Sequence, residues 1–230
     1  MTKKLGAYIS TLGLKNKYFI SIILDKACQN GNINIKLLIR VTMSQSRFTQ
    51  VQDGILLGAT QIASPNFNAR PADIDIQLIV IHNISLPPSQ FGGGYIQQFF
   101  QNQLDWSVHP YFQTIEGMQV SAHLLILRTG EVIQFVNFQH RSWHAGRSSY
   151  LAQKECNDYS IGIELEGSDD LPFEPEQYQA LVDVVQTLRQ AYPKIQRHIA
   201  GHSDIAPQRK TDPGPYFDWQ LFRNMLAKHK

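Results

Sequence analysis

The stretch from Gly201 to Trp219 reads GHSDIAPQRKTDPGPYFDW, with one histidine, three aspartates, an arginine and a lysine set among three prolines and two glycines. The prolines and glycines exclude a long regular helix. A loop this dense in ionisable groups is a candidate site. His202 and Asp212 offer a nitrogen and an oxygen of the kind zinc takes, although solvated loops also carry both residue types. A second stretch sharpens the reading. Residues 78–83, LIVIHN, form an apolar β-branched run that closes on a histidine and continues into Ile-Ser-Leu-Pro-Pro. This predicts a buried strand running into a loop, with His82 at the strand end, where sites in sheet proteins gather. His82, His202 and Asp212 would supply three protein ligands and leave a fourth position for water. That is the pattern of catalytic zinc, whereas structural zinc is closed by four ligands, mostly cysteine. The chain has only Cys28 and Cys156, too few for a cysteine-built site.

Five blocks occur in order along the chain: HNISLPP-x-x-FGG at 82–93, VSAH at 120–123, WHAG at 143–146, CNDYSIGIELEG at 156–167 and GHSDIAPQRKTDPGP at 201–215. Together they resemble the AmpD family, the cytosolic amidases that cleave 1,6-anhydro-N-acetylmuramoyl-L-alanine in peptidoglycan recycling. The wider family of zinc amidases includes phage amidases and peptidoglycan recognition proteins. The resemblance covers about residues 43–229, and residues 1–42 match none of its pattern. It implies an α/β fold with a mixed central β-sheet flanked by helices, a bound Zn2+, and hydrolysis of the amide between the lactyl group of N-acetylmuramic acid and L-alanine.

The remaining site candidates follow from these blocks. In YSIGIELEG, alternation separates Ile161, Ile163 and Leu165 from Ser160, Gly162, Glu164 and Glu166. The polar side is also the small side, which predicts open space above a carboxylate there. One of the two glutamates suffices as general base, and the resemblance implies Glu164. Lys210, two residues before Asp212, is a candidate to meet a developing oxyanion. Asn83, adjacent to His82, is a candidate contact to the muramoyl or peptide part. Trp143, His144 and Ala145 sit in a block that borders the substrate in the family, and aromatic faces suit the apolar side of a sugar ring. His123, inside an apolar strand, reads as a hydrogen-bonded core residue.

The elements that must position these groups are also legible. Ser121–Leu127 and Glu131–Val136 are apolar runs on either side of Arg-Thr-Gly, a hairpin signal. An amphipathic segment spans Tyr95–Leu104. The clearest helix is Pro175–Tyr192, with Tyr178, Leu181, Val182, Val185 and Leu188 at helical spacing. A last helix, Trp219–Ala227, is expected to turn Leu221, Phe222, Met225 and Leu226 inward. Residues 44–76 read as extended chain and turns.

Net charge is +2 at pH 7, which excludes a dominant nucleic-acid surface. Seven cations and Asp25 give residues 1–42 a charge of +6, and the rest of the chain therefore carries −4. Residues 1–42 show no steady helical or strand period and read as an N-terminal extension: a mobile tail, a weak anchor, or sequence upstream of a start at Met43. Residues 43–230 read as the amidase domain. No apolar run has the length of a membrane span, and Tyr18–Leu24 is short for a signal peptide and lacks a cleavage site. The two cysteines predict free thiols in a reducing compartment. The expectation is a cytoplasmic monomer whose partner is a muropeptide, with no nucleic acid and no membrane. A periplasmic amidase of broader specificity, a non-catalytic peptidoglycan receptor and a protein-binding role are the alternatives. The receptor reading is disfavoured because all three ligands are present.

Overall fold

The computed structural model describes residues 48–228 in full and the strands at residues 3–14, 18–29 and 32–43 by their backbone. The chain divides between Arg47 and Phe48 into two units. The first is an antiparallel meander of β1 (Lys3–Leu14), β2 (Tyr18–Gln29) and β3 (Asn32–Met43), in that order. These strands pair although residues 1–42 show no steady strand period in sequence. Runs such as YFISIIL and NINIKLLIRV are dense in β-branched residues, which favour extended backbone. Ladder hydrogen bonds do not need alternating side chains. An Asn-Gly dipeptide at 30–31, a hairpin signal in sequence, lies between β2 and β3. The unit boundary falls at 47/48 rather than 42/43, and residues 44–47 lie outside the described residues.

The second unit is α/β, as expected. Its frame is a six-stranded mixed sheet built from β4 (Thr60–Gln61), β5 (Leu78–Ile84), β6 (Leu124–Ile126), β7 (Val132–Gln134), β8 (Ser160–Glu166) and β9 (Ile199–Gly201). The spatial order is β9-β5-β8-β6-β7-β4. β5 is parallel to both β9 and β8, β8 is parallel to β6, and β6–β7 is the expected antiparallel hairpin. Continuous apolar runs suit strands covered on both faces, and β5 and β8 are buried along almost their whole length.

Alternation divides the work of the two faces. Ile79 and Ile81 of β5 and Ile161, Ile163 and Leu165 of β8 pack on α3 (Pro175–Ala191) and α5 (Trp219–Lys228). The periodic residues Tyr178, Leu181, Val182, Val185 and Leu188 of α3 are all buried in that layer. In α5, Phe222 and Leu226 point inward, but Leu221 is 42% exposed, which corrects its assignment. The opposite face carries Leu78, Val80 and His82 of β5 and Ser160, Gly162 and Glu164 of β8. It is covered by Tyr159, Cys156, Ala145 and Ile205 and, beside β6, by Phe99, Phe100 and Phe112. The buried apolar residues of the short helices α1 (Tyr95–Phe100), α2 (Pro110–Thr114) and α4 (His202–Ile205) belong to this second face and not to the α3–α5 layer. Among the described residues, no helix is long and apolar enough to cross a membrane.

Candidate active site

Strand register brings the separate blocks together. Parallel pairing sets Glu164 of β8 opposite His82 of β5. Gly201 of β9 pairs with Ile81, so the next residue, His202 at the start of α4, arrives beside His82. The loop after α4 returns Asp212, whose carbonyl accepts from Ser203 N at 2.9 Å. Three side-chain atoms converge as a result. His82 Nδ1 lies 3.0 Å from His202 Nδ1, and Asp212 Oδ2 lies 2.9 Å from the first and 3.0 Å from the second. Both rings are buried.

The protons on these rings can be assigned. His202 Nε2 faces the Ala145 carbonyl at 3.1 Å and must donate to it, which leaves the Nδ1 lone pair free in the neutral ring. Burial pushes His82 down to about 4, so its ring is neutral near pH 7. Its Nε2 contacts His144 Nδ1 at 2.9 Å. With a lone pair on His202 Nδ1, these three atoms sit together only if a proton or a metal cation lies among them. A tetrahedral metal with ligands at about 2.0–2.2 Å needs ligand separations of about 3.3–3.6 Å, a few tenths of an ångström wider than those found here. Histidine and carboxylate donors suit a divalent metal, and among the described residues these three form a group able to hold one.

Glu164 stands beside this triangle. It is 9% exposed, and its Oε2 has no hydrogen-bond partner among the described residues. Burial raises its carboxyl well above the usual range and the negative charge of Asp212 adds to this, with the Lys210 ammonium opposing. Glu166, the other candidate base, is already engaged. Its Oε1 accepts from Gly92 N at 2.7 Å and its Oε2 from Arg128 N at 3.2 Å. It ties two loops to the sheet.

A cavity of about 570 Å³ opens over the triangle and is lined by His82, Glu164, His202, Lys210 and Asp212. Asn83 and Trp143 also line it, together with Tyr111, Met118 and Arg209. Asn83 Nδ2 donates to Asp169 Oδ1 at 2.7 Å, and Trp143 Nε1 donates to Asn68 Oδ1 at 2.8 Å. Lys210 is exposed at the rim.

Two candidates take other parts. Ala145 is fully buried and outside the cavity wall, and its carbonyl accepts from His202 Nε2 and from Arg209 at 2.7 Å. It orients the His202 ring. His144 reaches the cavity, but both of its ring nitrogens are occupied within the protein, by His82 and by Ser160 Oγ at 3.0 Å. The space expected above Ser160 and Gly162 is therefore not open, because the His144 ring fills it. His123 is a core residue, as expected: its Nδ1 accepts from Gly162 N at 3.0 Å and Ser142 Oγ at 2.8 Å.

Sequence reasoning missed Asn157, Arg209 and Asp169. Asn157 Oδ1 accepts from the backbone of His144 at 3.2 Å and Ala145 at 2.8 Å and so fixes the loop that contacts both His82 and His202. Arg209 was legible only as a basic neighbour of Lys210, since its partners are distant carbonyls.

The family model for N-acetylmuramoyl-L-alanine amidase matches residues 72–215. The chain is 51% identical over 177 residues to the 1,6-anhydro-N-acetylmuramyl-L-alanine amidase AmpD of Haemophilus influenzae, covering 76% of this chain and 96% of that protein. It is 49% identical over 178 residues to AmpD of Escherichia coli, covering 77% and 97%. A crystal structure of a selenomethionine derivative of AmpD is similar at a TM-score of 0.76 and 49% identity, over 77% of this chain and 99% of that one. With the family pattern spanning the strands that carry His82 and Glu164 and the loop that carries Asp212, this chain belongs to the N-acetylmuramoyl-L-alanine amidase family.

Proposed function

We propose that this amidase hydrolyses the amide joining the lactyl group of 1,6-anhydro-N-acetylmuramic acid to L-alanine, as a step in the recycling of cell-wall fragments. The substrate follows from the relatives that share half its residues along nearly their whole length. The chemistry rests on one observation: an unpartnered, buried Glu164 Oε2 beside three converging metal-ligand atoms at the floor of a cavity. His82 and His202 through Nδ1 and Asp212 through Oδ2 would hold Zn2+, which when bound supplies Lewis acidity and brings the pKa of water toward about 7.

The protein residues then have distinct tasks. Glu164 accepts a proton as water adds to the amide carbon, and returns it to the departing nitrogen of L-alanine. The C–N bond breaks to leave a lactyl carboxylate and a free amine. A raised carboxyl pKa suits a group that must both take and give a proton near neutral pH. Lys210 at the rim supports the negative charge on the carbonyl oxygen. Asn83 is oriented by Asp169 toward the muramoyl or peptide part, and the Trp143 ring offers a wall for the sugar. We place the enzyme in the cytoplasm as a monomer acting on soluble muropeptides, with no nucleic-acid or membrane partner.

The test is direct. The full-length protein is incubated with anhydro- and ordinary muropeptides, with and without chelator, and the products are weighed by mass spectrometry. The expected products are the free anhydro-sugar and intact peptide, lost on chelation and restored by zinc. Equal turnover of both substrates would remove the anhydro-specificity, and cleavage indifferent to chelator would remove the metal.

A further inference from the structure

We propose that His144 is a positioning residue for His82. Through a relay of hydrogen bonds ending at the Cys156 carbonyl, it fixes which nitrogen of the His82 ring carries the proton, and Ser160 and Gly162 form the berth that holds it. The inference rests on the reading of His82 as a metal ligand.

The relay has only one consistent direction. The Cys156 carbonyl can only accept, so Ser160 Oγ, 2.5 Å away, spends its single hydrogen there. Towards His144 Nε2, at 3.0 Å, the hydroxyl then has only lone pairs to offer. His144 Nε2 must therefore be the N–H, which leaves a lone pair on Nδ1 of the neutral ring. That lone pair faces His82 Nε2 at 2.9 Å, so His82 carries its proton on Nε2 and presents a bare Nδ1 to Asp212 and His202. Reversing the relay would turn the Ser160 hydrogen away from a carbonyl 2.5 Å distant. Ser160 is fully buried, where a lost hydrogen bond is costly.

The berth is shaped for this ring. A Cβ built on Gly162 would lie 2.4 Å from His144 Cγ and 2.6 Å from its Nδ1. Glycine is required there by close approach, since Gly162 is not among the residues with positive φ. Asn157 Oδ1 holds the His144 backbone from the other side. Outer partners of metal-ligating histidines set tautomer and orientation, and their loss typically costs about 10–100-fold in metal affinity. His202 is served by a backbone carbonyl, which no substitution removes. His82 depends on a side chain, which makes the proposal testable.

The experiment uses the full chain with uniform ¹⁵N label and has two readouts. Long-range ¹H–¹⁵N spectra of the metal-free protein report the His82 tautomer, and competition with a chromophoric chelator reports zinc affinity. In the wild type, His82 should show a protonated Nε2 and a bare Nδ1. Ser160→Ala, a minimal change that should leave the fold intact, and His144→Ala should both mix the tautomers and weaken zinc binding by about 10–100-fold. His144→Gln, whose amide offers an acceptor and a donor, should recover part of that loss. Gly162→Ala should weaken binding by crowding the ring while leaving every relay residue in place. An unchanged His82 tautomer with zinc affinity within two-fold of wild type in Ser160→Ala and His144→Ala would overturn the relay. A wild type that binds no zinc would instead overturn the ligand reading, and the spectra would still decide the relay.

Discussion

At the scale of single residues, the site separates two glutamates that sequence alone leaves nearly equivalent. Glu164 and Glu166 lie on the same side of one strand, two residues apart. Glu166 spends both oxygens on backbone N–H groups of Gly92 and Arg128, whereas Glu164 keeps Oε2 free among the described residues. Glu164→Gln preserves shape and removes the proton acceptor. It should retain zinc and lose about 100- to 10,000-fold in kcat, measured by muropeptide turnover alongside metal content. Glu166→Gln should instead retain most of kcat and lower the melting temperature, because its loss falls on two loop anchors. Near-wild-type turnover in Glu164→Gln would move the base elsewhere. His82, His202, Asp212 and Glu164 stand out in the sequence because each is a chemistry-bearing type in an apolar strand or a Pro/Gly-rich loop, where it is conspicuous. The hydrogen bonds that already engage the Ala145 carbonyl and the His144 ring were not legible, for a physical reason. Sequence shows that a loop borders a site, but not whether a carbonyl or a ring nitrogen is already spent on a neighbour.

At the scale of elements, the sheet was legible and its fastening was not. The apolar runs at β5 and β8, the hairpin and the period of α3 all follow from patterning. Nothing in patterning singles out Gln177, which lies in the first turn of α3 and reads as a solvent-facing helix residue. It is fully buried. Its Nε2 donates to the carbonyls of Ile126 and Glu166 at 3.2 and 3.0 Å, and its Oε1 accepts from Glu174 N at 3.0 Å. It thus pins α3 to the ends of β6 and β8, the second of which carries Glu164. Gln177→Ala leaves two carbonyls and an N–H without their partner, at about 1–3 kcal/mol for a buried unsatisfied group. We expect a loss of about 2–4 kcal/mol in urea unfolding, with turnover retained at low temperature. A loss under about 0.5 kcal/mol, the range of ordinary surface changes, would show that water or relaxation replaces the pin.

At the scale of the whole molecule, two properties follow. The first is acid sensitivity of the metal-free protein. Burial lowers His82, His123 and His144 below the ordinary histidine value, so each takes up a proton on unfolding as pH falls through about 6.5. Glu164 is raised and works in the opposite sense, because its folded carboxyl keeps a proton that the unfolded one gives up. With three histidines opposed by one carboxyl, stability should fall as pH drops below about 6.5, by no more than about 4 kcal/mol per pH unit. Urea titrations after chelation would read this slope, and a flat profile would contradict neutral burial of these rings. The second property concerns residues 1–42, which we propose are dispensable for the chemistry. The three converging donor residues, Glu164 and the cavity lining all come from the unit that begins at Phe48. Phe48 itself is 2% exposed within the α3 layer, and its carbonyl accepts from Thr187 Oγ1 at 3.1 Å. The point where the chain can be shortened is therefore sharply bounded. A chain starting at Met43 keeps Phe48 and should fold, bind zinc and turn over muropeptide within about two-fold of the full chain. A chain starting at Asp53 loses Phe48 and the short strand Val51–Gln52. It should be destabilised by about 3–5 kcal/mol, the usual cost of removing a buried phenylalanine. Circular dichroism melts and zinc titrations of the two truncations decide the matter. Insolubility or a ten-fold loss of zinc affinity in the Met43 chain would show that residues 1–42 support the amidase unit.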